Sequence, residues 1–192
     1  MKIGLYFGSF NPIHHGHLII ASHILSNSNL TQIWFVVSPQ NPLKQSTFLL
    51  NEYHRLHMVQ LAVEGEKKMR AVDIEFKLPK PSYTIDTLTY LQEKYPGYSF
   101  AVIMGSDSFQ NISKWKNYQQ LLKNYPVYVY PRPGNTELTK YKEAEIIEVK
   151  APLLEISATQ IRNNIKQGKS IRYLVPENVR EEIEKNGYYK TT

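Results

Sequence analysis

The stretch MKIGLYFGSFNPIHHGHLIIASHIL, Met1 to Leu25, decides the fold. Lys2 to Phe7 is short and apolar and is closed by Gly8, the pattern of a buried strand rather than a helix. From about His15 to Leu25 the spacing turns helical, with Leu18, Ala21, Ser22 and Leu25 sharing one predicted stripe. Between them lies GSFNPIHHGHL, Gly8 to Leu18, which crowds His14, His15 and His17 around Gly16 and holds three of the chain's six histidines. Strand, loop and helix follow one another within 25 residues, so the chain opens with half of a βαβ unit.

The same alternation continues. Gln32 to Val37 (QIWFVV) reads as a second buried strand, stopped by Ser38-Pro39. Asn51 to Glu64 reads as a helix with Leu56, Val59 and Val63 inward, and Arg70 to Ile74 as a third strand. Ser82 to Tyr95 reads as a helix with Ser82 as N-cap and Ile85, Leu88 and Leu91 buried. Ser99 to Met104 and Val127 to Tyr130 are predicted strands, Ile146 to Val149 a sixth, and Trp115 to Leu122 a helix. Strands alternating with helices imply right-handed crossovers and a mostly parallel sheet. The expected class is α/β: a Rossmann-like parallel sheet of five to six strands, helices on both faces, and a short C-terminal helical segment. In that segment Ser157 and Gln160 form a capping box, with Ile156 and Ile161 at the staple positions. Gly168 ends this helix, and another runs from Pro176 to Asn186-Gly187. One domain, 1–192, with 156–192 as its helical tail, accounts for the length.

Composition narrows the function. The chain has no cysteine, which removes disulfides, thiolate nucleophiles and Cys-based zinc sites. No apolar run approaches the ~20 residues that span a bilayer, and mean hydropathy is −0.42. No cleavage site follows the first apolar run, so the expectation is a cytoplasmic chain. The net charge of +6 is scattered, without the long basic run of a nucleic-acid tail. It fits either an ordinary solvated surface or a pocket for phosphates.

Parallel sheets bind ligands at the carboxyl ends of their strands. Gly8 to His17, Ser38 to Lys44, Gly105 to Asp107, and Arg132 all follow predicted strands. Gly8-Ser9 before a helix start is a place for backbone N–H groups and the helix dipole to meet phosphate, although neither GxGxxG nor GxxxxGK[ST] is present. His14 and His17, three apart at a helix start, can face one spot, and their imidazoles can donate to phosphate oxygens. A metal pair is the rival reading, but no third ligand sits at suitable spacing. ISATQIR, Ile156 to Arg162, offers open N–H groups, two hydroxyls and an arginine one turn in, which suits a nucleotide's outer phosphates; the alternative is a plain capping box with a surface arginine. Asp107 can accept from ribose hydroxyls or cap the following segment. Lys44 is either a phosphate contact or a solvated lysine. His23, His54 and His57 are read as structural or surface residues.

GSFNPIHHGHL resembles the HxGH signature of the nucleotidyltransferase superfamily, and ISATQIR resembles the second signature of its adenylyltransferase members, with Ala158 where serine is common. Ser38-Pro39-Gln40-Asn41-Pro42-Leu43-Lys44, Ser82-Tyr83-Thr84, Gly105-Ser106-Asp107, Trp115 and Arg132-Pro133-Gly134 narrow the resemblance to the nicotinate-nucleotide adenylyltransferases, over nearly the whole chain. The resemblance implies transfer of an adenylyl group from ATP to nicotinate mononucleotide, with His14, His17 and Arg162 catalytic. It implies ATP contacts from Gly8, Ser9, Phe10, His14, His17 and Lys44 on one side of the site. Gly105, Asp107, Ser157, Thr159 and Arg162 would supply the other side. Ser82, Tyr83, Thr84, Trp115, Lys116 and Arg132 would bind nicotinate mononucleotide, Trp115 stacking on the pyridine ring. No metal site is expected on the protein itself; Mg2+ would be held mainly by ATP phosphates. ATP and nicotinate mononucleotide are the expected partners, with no nucleic acid and no membrane, and a homo-oligomer is left open. Phosphopantetheine adenylyltransferases and cytidylyltransferases share HxGH, and a nucleotide-binding regulator without catalysis is the alternative from another class.

Overall fold

A computed structural model describes residues 1–40, 49–134, 139 and 141–190. Lys44 lies outside these residues. Six strands form one sheet: β1 (Lys2–Gly8), β2 (Gln32–Val37), β3 (Met69–Val72), β4 (Ser99–Gly105), β5 (Val127–Tyr130) and β6 (Ile146–Glu148). Their order is β3-β2-β1-β4-β5-β6, and every neighbouring pair is parallel. The order reverses between β1 and β4, so the crevice at the switch point opens beyond Gly8 and Gly105. This is the expected class, at the upper end of the expected strand count.

Each strand alternates its side chains between two cores, as a pleated ribbon must. Tyr6, Ile33, Phe35, Ala101 and Ile103 face one core, with α1 (His15–Ser26), α2 (Glu52–Ala62), α6 (Ala158–Lys166) and α7 (Glu177–Asn186) packed over it. Ile3, Leu5, Trp34, Val36, Val102 and Met104 face the other, covered by α3 (Thr84–Lys94), α4 (Ser106–Gln110) and α5 (Tyr118–Asn124). The helical tail shares the first core through Ile161, Val179 and Ile183. Among the described residues no helix is long and apolar enough to cross a membrane.

Several boundaries differ from the sequence expectation. The buried residues of α1 are Gly16, Ile20, Ala21 and Ile24; Ser22 is exposed and Leu18 and Leu25 are half-buried, the inward face being the one on which Gly16 packs close to the His14 ring and Ile156. In α2 Met58 and Val59 are buried with Arg55, while Leu56 is only half-buried. The third strand stops at Val72 and a 3-10 turn, Ile74–Lys77, takes over. Ser82 does not cap α3. Tyr83 holds that position without a side-chain bond, and the Ser82 hydroxyl is spent elsewhere. The short helix α4 was not expected. Trp115 is extended and follows the 3-10 turn Ile112–Lys114, so α5 begins only after Asn117, whose φ of 50° breaks the helical path.

The tail follows its sequence signals closely. Ser157 Oγ accepts from the Gln160 N–H at 3.2 Å. Gly168 (φ 67°) lies just past the end of α6, where a left-handed residue lets the Lys169 N–H return to the Asn164 carbonyl at 2.8 Å.

Candidate active site

The loop after β1 is shaped by packing under its backbone. A side chain at Gly8 would place Cβ 2.8 Å from the Phe10 ring. That ring is buried, edge-on to Tyr6, Phe35 and His17, and Phe10 itself takes a left-handed φ of 45°. Phe10 therefore offers a ligand its main chain, not its ring. The loop ends at His14, the extended residue preceding α1. The His15 N–H donates to the Leu174 carbonyl at 3.0 Å, which fastens the helix start to the tail.

His14 and His17 stack at 3.7 Å between ring centroids, 28° from parallel. Gly16 makes room for them: a Cβ there would sit 3.0 Å from the His14 ring and 3.6 Å from Ile156 of the second motif. Both rings are neutral in the free protein. Burial lowers the His14 pKa to about 3, assisted by Arg132 and His15. Burial holds His17 well below 6.5, assisted by His14 and Arg132. The Nδ1 atoms of both rings and Nε of Arg132 are buried without a hydrogen-bond partner among the described residues. Buried polar atoms are nearly always paired, so three orphans in one place mark a receptor for a ligand rich in hydrogen-bonding oxygens.

Arg132 reaches this place from the end of β5. Its main-chain N–H donates to Ser106 Oγ at 2.9 Å, and its Nη2 donates to the Tyr130 hydroxyl at 3.1 Å. Tyr6 donates in turn to that hydroxyl at 3.0 Å. Gly105 is required beside it. A Cβ would lie 2.5 Å from Asp107 Oδ1 and 3.1 Å from the Arg132 stem. Asp107 is exposed in the first turn of α4, free to face a ligand, and it does not cap the helix.

The second motif docks on the first. Arg162 on α6 donates through Nη1 to the Asn11 carbonyl at 2.7 Å and through Nη2 to Thr159 Oγ1 at 3.2 Å. The N-terminus of α6, with its open amides and the Ser157 and Thr159 hydroxyls, is thereby tied to the histidine loop. A third group lies around the start of α3. Lys116 Nζ sits 5.0 Å over the Tyr83 ring and pairs with Asp86 at 2.8 Å. Thr84 opens the helix, and Trp115 is half-buried against the second core. Ser82 is 7% exposed and its hydroxyl donates to Glu75 at 2.8 Å, so its part here is to hold the helix start.

Sequence reasoning missed two residues. Glu75 is 2% exposed and accepts from Ser82 and, at 3.0 Å, from Thr87. Burial raises its pKa, and hydroxyls of Ser82, Ser38 and Thr87 oppose that rise. No local pattern announces it. Arg55 is fully buried. Its signal was a charge in the stripe of Met58 and Val59, one turn away. Among the described residues no group of three or more His, Asp or Glu side chains is arranged to hold a metal ion.

The cytidylyltransferase-like family model matches residues 5–164. A Cytophaga hutchinsonii protein is 54% identical over 191 residues, 98% of each chain. A Flavobacterium psychrophilum protein is 51% identical over 192 residues, 99% of this chain and 100% of its own. Both are named "Probable nicotinate-nucleotide adenylyltransferase". Among solved structures, Plasmodium falciparum nicotinic acid mononucleotide adenylyltransferase complexed with NaAD matches with a TM-score of 0.79 at 22% identity, covering 98% of this chain and 97% of that one, a likeness of fold.

Proposed function

We infer that this chain, which belongs to the nicotinate-nucleotide adenylyltransferases of the cytidylyltransferase-like family, transfers the adenylyl group of ATP to nicotinate mononucleotide in NAD biosynthesis. The products are nicotinate adenine dinucleotide and pyrophosphate. A phosphate oxygen of the mononucleotide attacks the α-phosphorus in line. The bond from that phosphorus to the bridging oxygen breaks, and its electron pair leaves with pyrophosphate. The nucleophile is already an anion, so no general base is required, and catalysis is positioning plus charge neutralisation.

The observation that carries this reading is the stacked His14–His17 pair, whose two Nδ1 atoms, with Nε of Arg132 beside them, are buried without a hydrogen-bond partner among the described residues. A neutral imidazole still has one N–H to donate, and the arrival of a triphosphate makes it more basic. We assign the pair to the α-phosphate and the departing oxygen. Arg132 borders the pair, where the attacking phosphate must lie. Ser157, Thr159 and Arg162 take the β- and γ-phosphates at the start of α6. Tyr83, Thr84, Trp115 and Lys116 take the nicotinate end, and Asp107 the ribose. Magnesium enters with ATP, its ligands drawn mainly from phosphate oxygens and water. We place the reaction in the cytoplasm.

The test is pyrophosphate release from ATP with nicotinate mononucleotide, nicotinamide mononucleotide, phosphopantetheine and, with CTP replacing ATP, phosphocholine. Turnover highest with nicotinate mononucleotide is expected. Tight ATP binding without turnover on any acceptor would overturn the reading in favour of a regulator.

A further inference from the structure

We propose that Arg55, fully buried on α2, is a positioning residue that turns two main-chain amides of the strand-end loops outward to receive the phosphates of ATP. Among the described residues Arg55 makes four hydrogen bonds, all to carbonyls. Nε donates to Leu50 at 2.7 Å and Nη1 to Ser9 at 2.5 Å. Nη1 also donates to Ser38 at 2.8 Å, and Nη2 to Pro39 at 3.1 Å. The guanidinium therefore gathers the segment after β1 and the segment after β2, which the Ser38 N–H already links by donating to Gly8 at 2.9 Å.

The consequence lies in peptide geometry. In a trans peptide the N–H points opposite to the preceding C=O. The Ser9–Phe10 and Pro39–Gln40 peptides are both trans. With the Ser9 and Pro39 carbonyls turned onto Arg55, the N–H groups of Phe10 and Gln40 point away from it. The left-handed φ of 45° at Phe10 is part of this arrangement. Two peptide dipoles are thus aligned with their positive ends outward, and a buried positive charge sits behind them. That is an arrangement for an anion. A fully buried arginine without a carboxylate among its described hydrogen-bond partners is otherwise expensive, and four carbonyls explain how it is tolerated. Burial does lower its pKa, but arginine remains charged.

The proposal rests on the adenylyl-transfer reading, because it takes ATP as the anion. The test measures binding of ATP and of nicotinate mononucleotide separately, by calorimetry, to the wild type and to Arg55→Lys, with melting temperature as a check on folding. Lysine keeps the charge but cannot serve both loops with a planar fork. The expected result is a Kd for ATP raised by about tenfold or more, with that for nicotinate mononucleotide within about twofold. Equal weakening of both ligands, or unchanged ATP affinity in a folded variant, overturns the proposal. Should Arg55→Lys not fold, hydrogen exchange on the wild type decides. ATP should protect the Phe10 and Gln40 amides, and the absence of protection at both overturns it. Wild type that binds and turns over ATP while failing these tests leaves the enzymatic reading standing. Wild type that binds no ATP removes that reading itself.

Discussion

The Arg162 guanidinium donates to the Asn11 carbonyl at 2.7 Å across 151 positions of sequence. This contact converts two separate motifs into one site. Arg162 is held by the histidine loop before any ligand arrives, so the loop and the α6 N-terminus share one arginine. Binding then needs little further ordering of that side chain.

Replacing Arg162 should therefore damage both halves at once. Arg162→Lys keeps a charge but loses the fork that reaches Asn11 and Thr159 together. We expect kcat/KM to fall by roughly a hundredfold or more, with stability lower by about 1–2 kcal/mol. Steady-state kinetics and denaturant unfolding measure the two. A lysine variant with near-normal kinetics would show that the fork is not needed.

The three clustered histidines should separate sharply. His14→Ala and His17→Ala remove the rings whose Nδ1 atoms lack a partner among the described residues and should each lower kcat by roughly a hundredfold or more. His15 contributes its main-chain N–H to Leu174, a bond that alanine keeps. His15→Ala should stay within about threefold of wild type, under ~0.7 kcal/mol in barrier. Loss of His17 with kcat equally within threefold would remove His17 from the mechanism.

Stability should fall on mild acidification. His14 titrates at about 3 when folded and near 6.5 when unfolded. Between those values the unfolded chain binds the extra proton, so stability present at pH 7 is lost as pH drops through that window. At pH 5 His14 alone should account for a loss of about 2 kcal/mol. Urea unfolding at pH 7 and pH 5 measures this, and His14→Gln should reduce the difference by about that amount, with His17, also held low by burial, supplying part of what remains. An unchanged slope in that variant would mean that His14 is not held neutral.

Ser82 should behave as a brace. Ser82→Ala strips one of the hydroxyls that donate to buried Glu75, and should destabilise the protein by about 1–2 kcal/mol. Its KM for nicotinate mononucleotide should move by less than about threefold, below 0.7 kcal/mol. A large KM change with intact stability would return Ser82 to direct substrate contact.

The amino-acid sequence by itself determined the alternation of elements, the parallel sheet, and the positions of the two motifs. Those depend on apolar spacing and on caps such as Ser157 and Gly168, which act within a turn or two of chain. Tertiary structure decided what polar groups do once desolvated. Ser82 carries a good capping side chain, yet a buried Glu75 nearby claims its hydroxyl. Trp115 has a helix-like neighbourhood, yet the left-handed Asn117 starts the helix after it. Arg55 stands in the inward stripe of α2 as a charge whose partners the local sequence does not name, and in the fold carbonyls from three separate segments converge on it. An unpaired buried charge or carboxylate is too costly to leave alone, so its partner is chosen by proximity in the folded core, and that proximity has no local spelling in the chain.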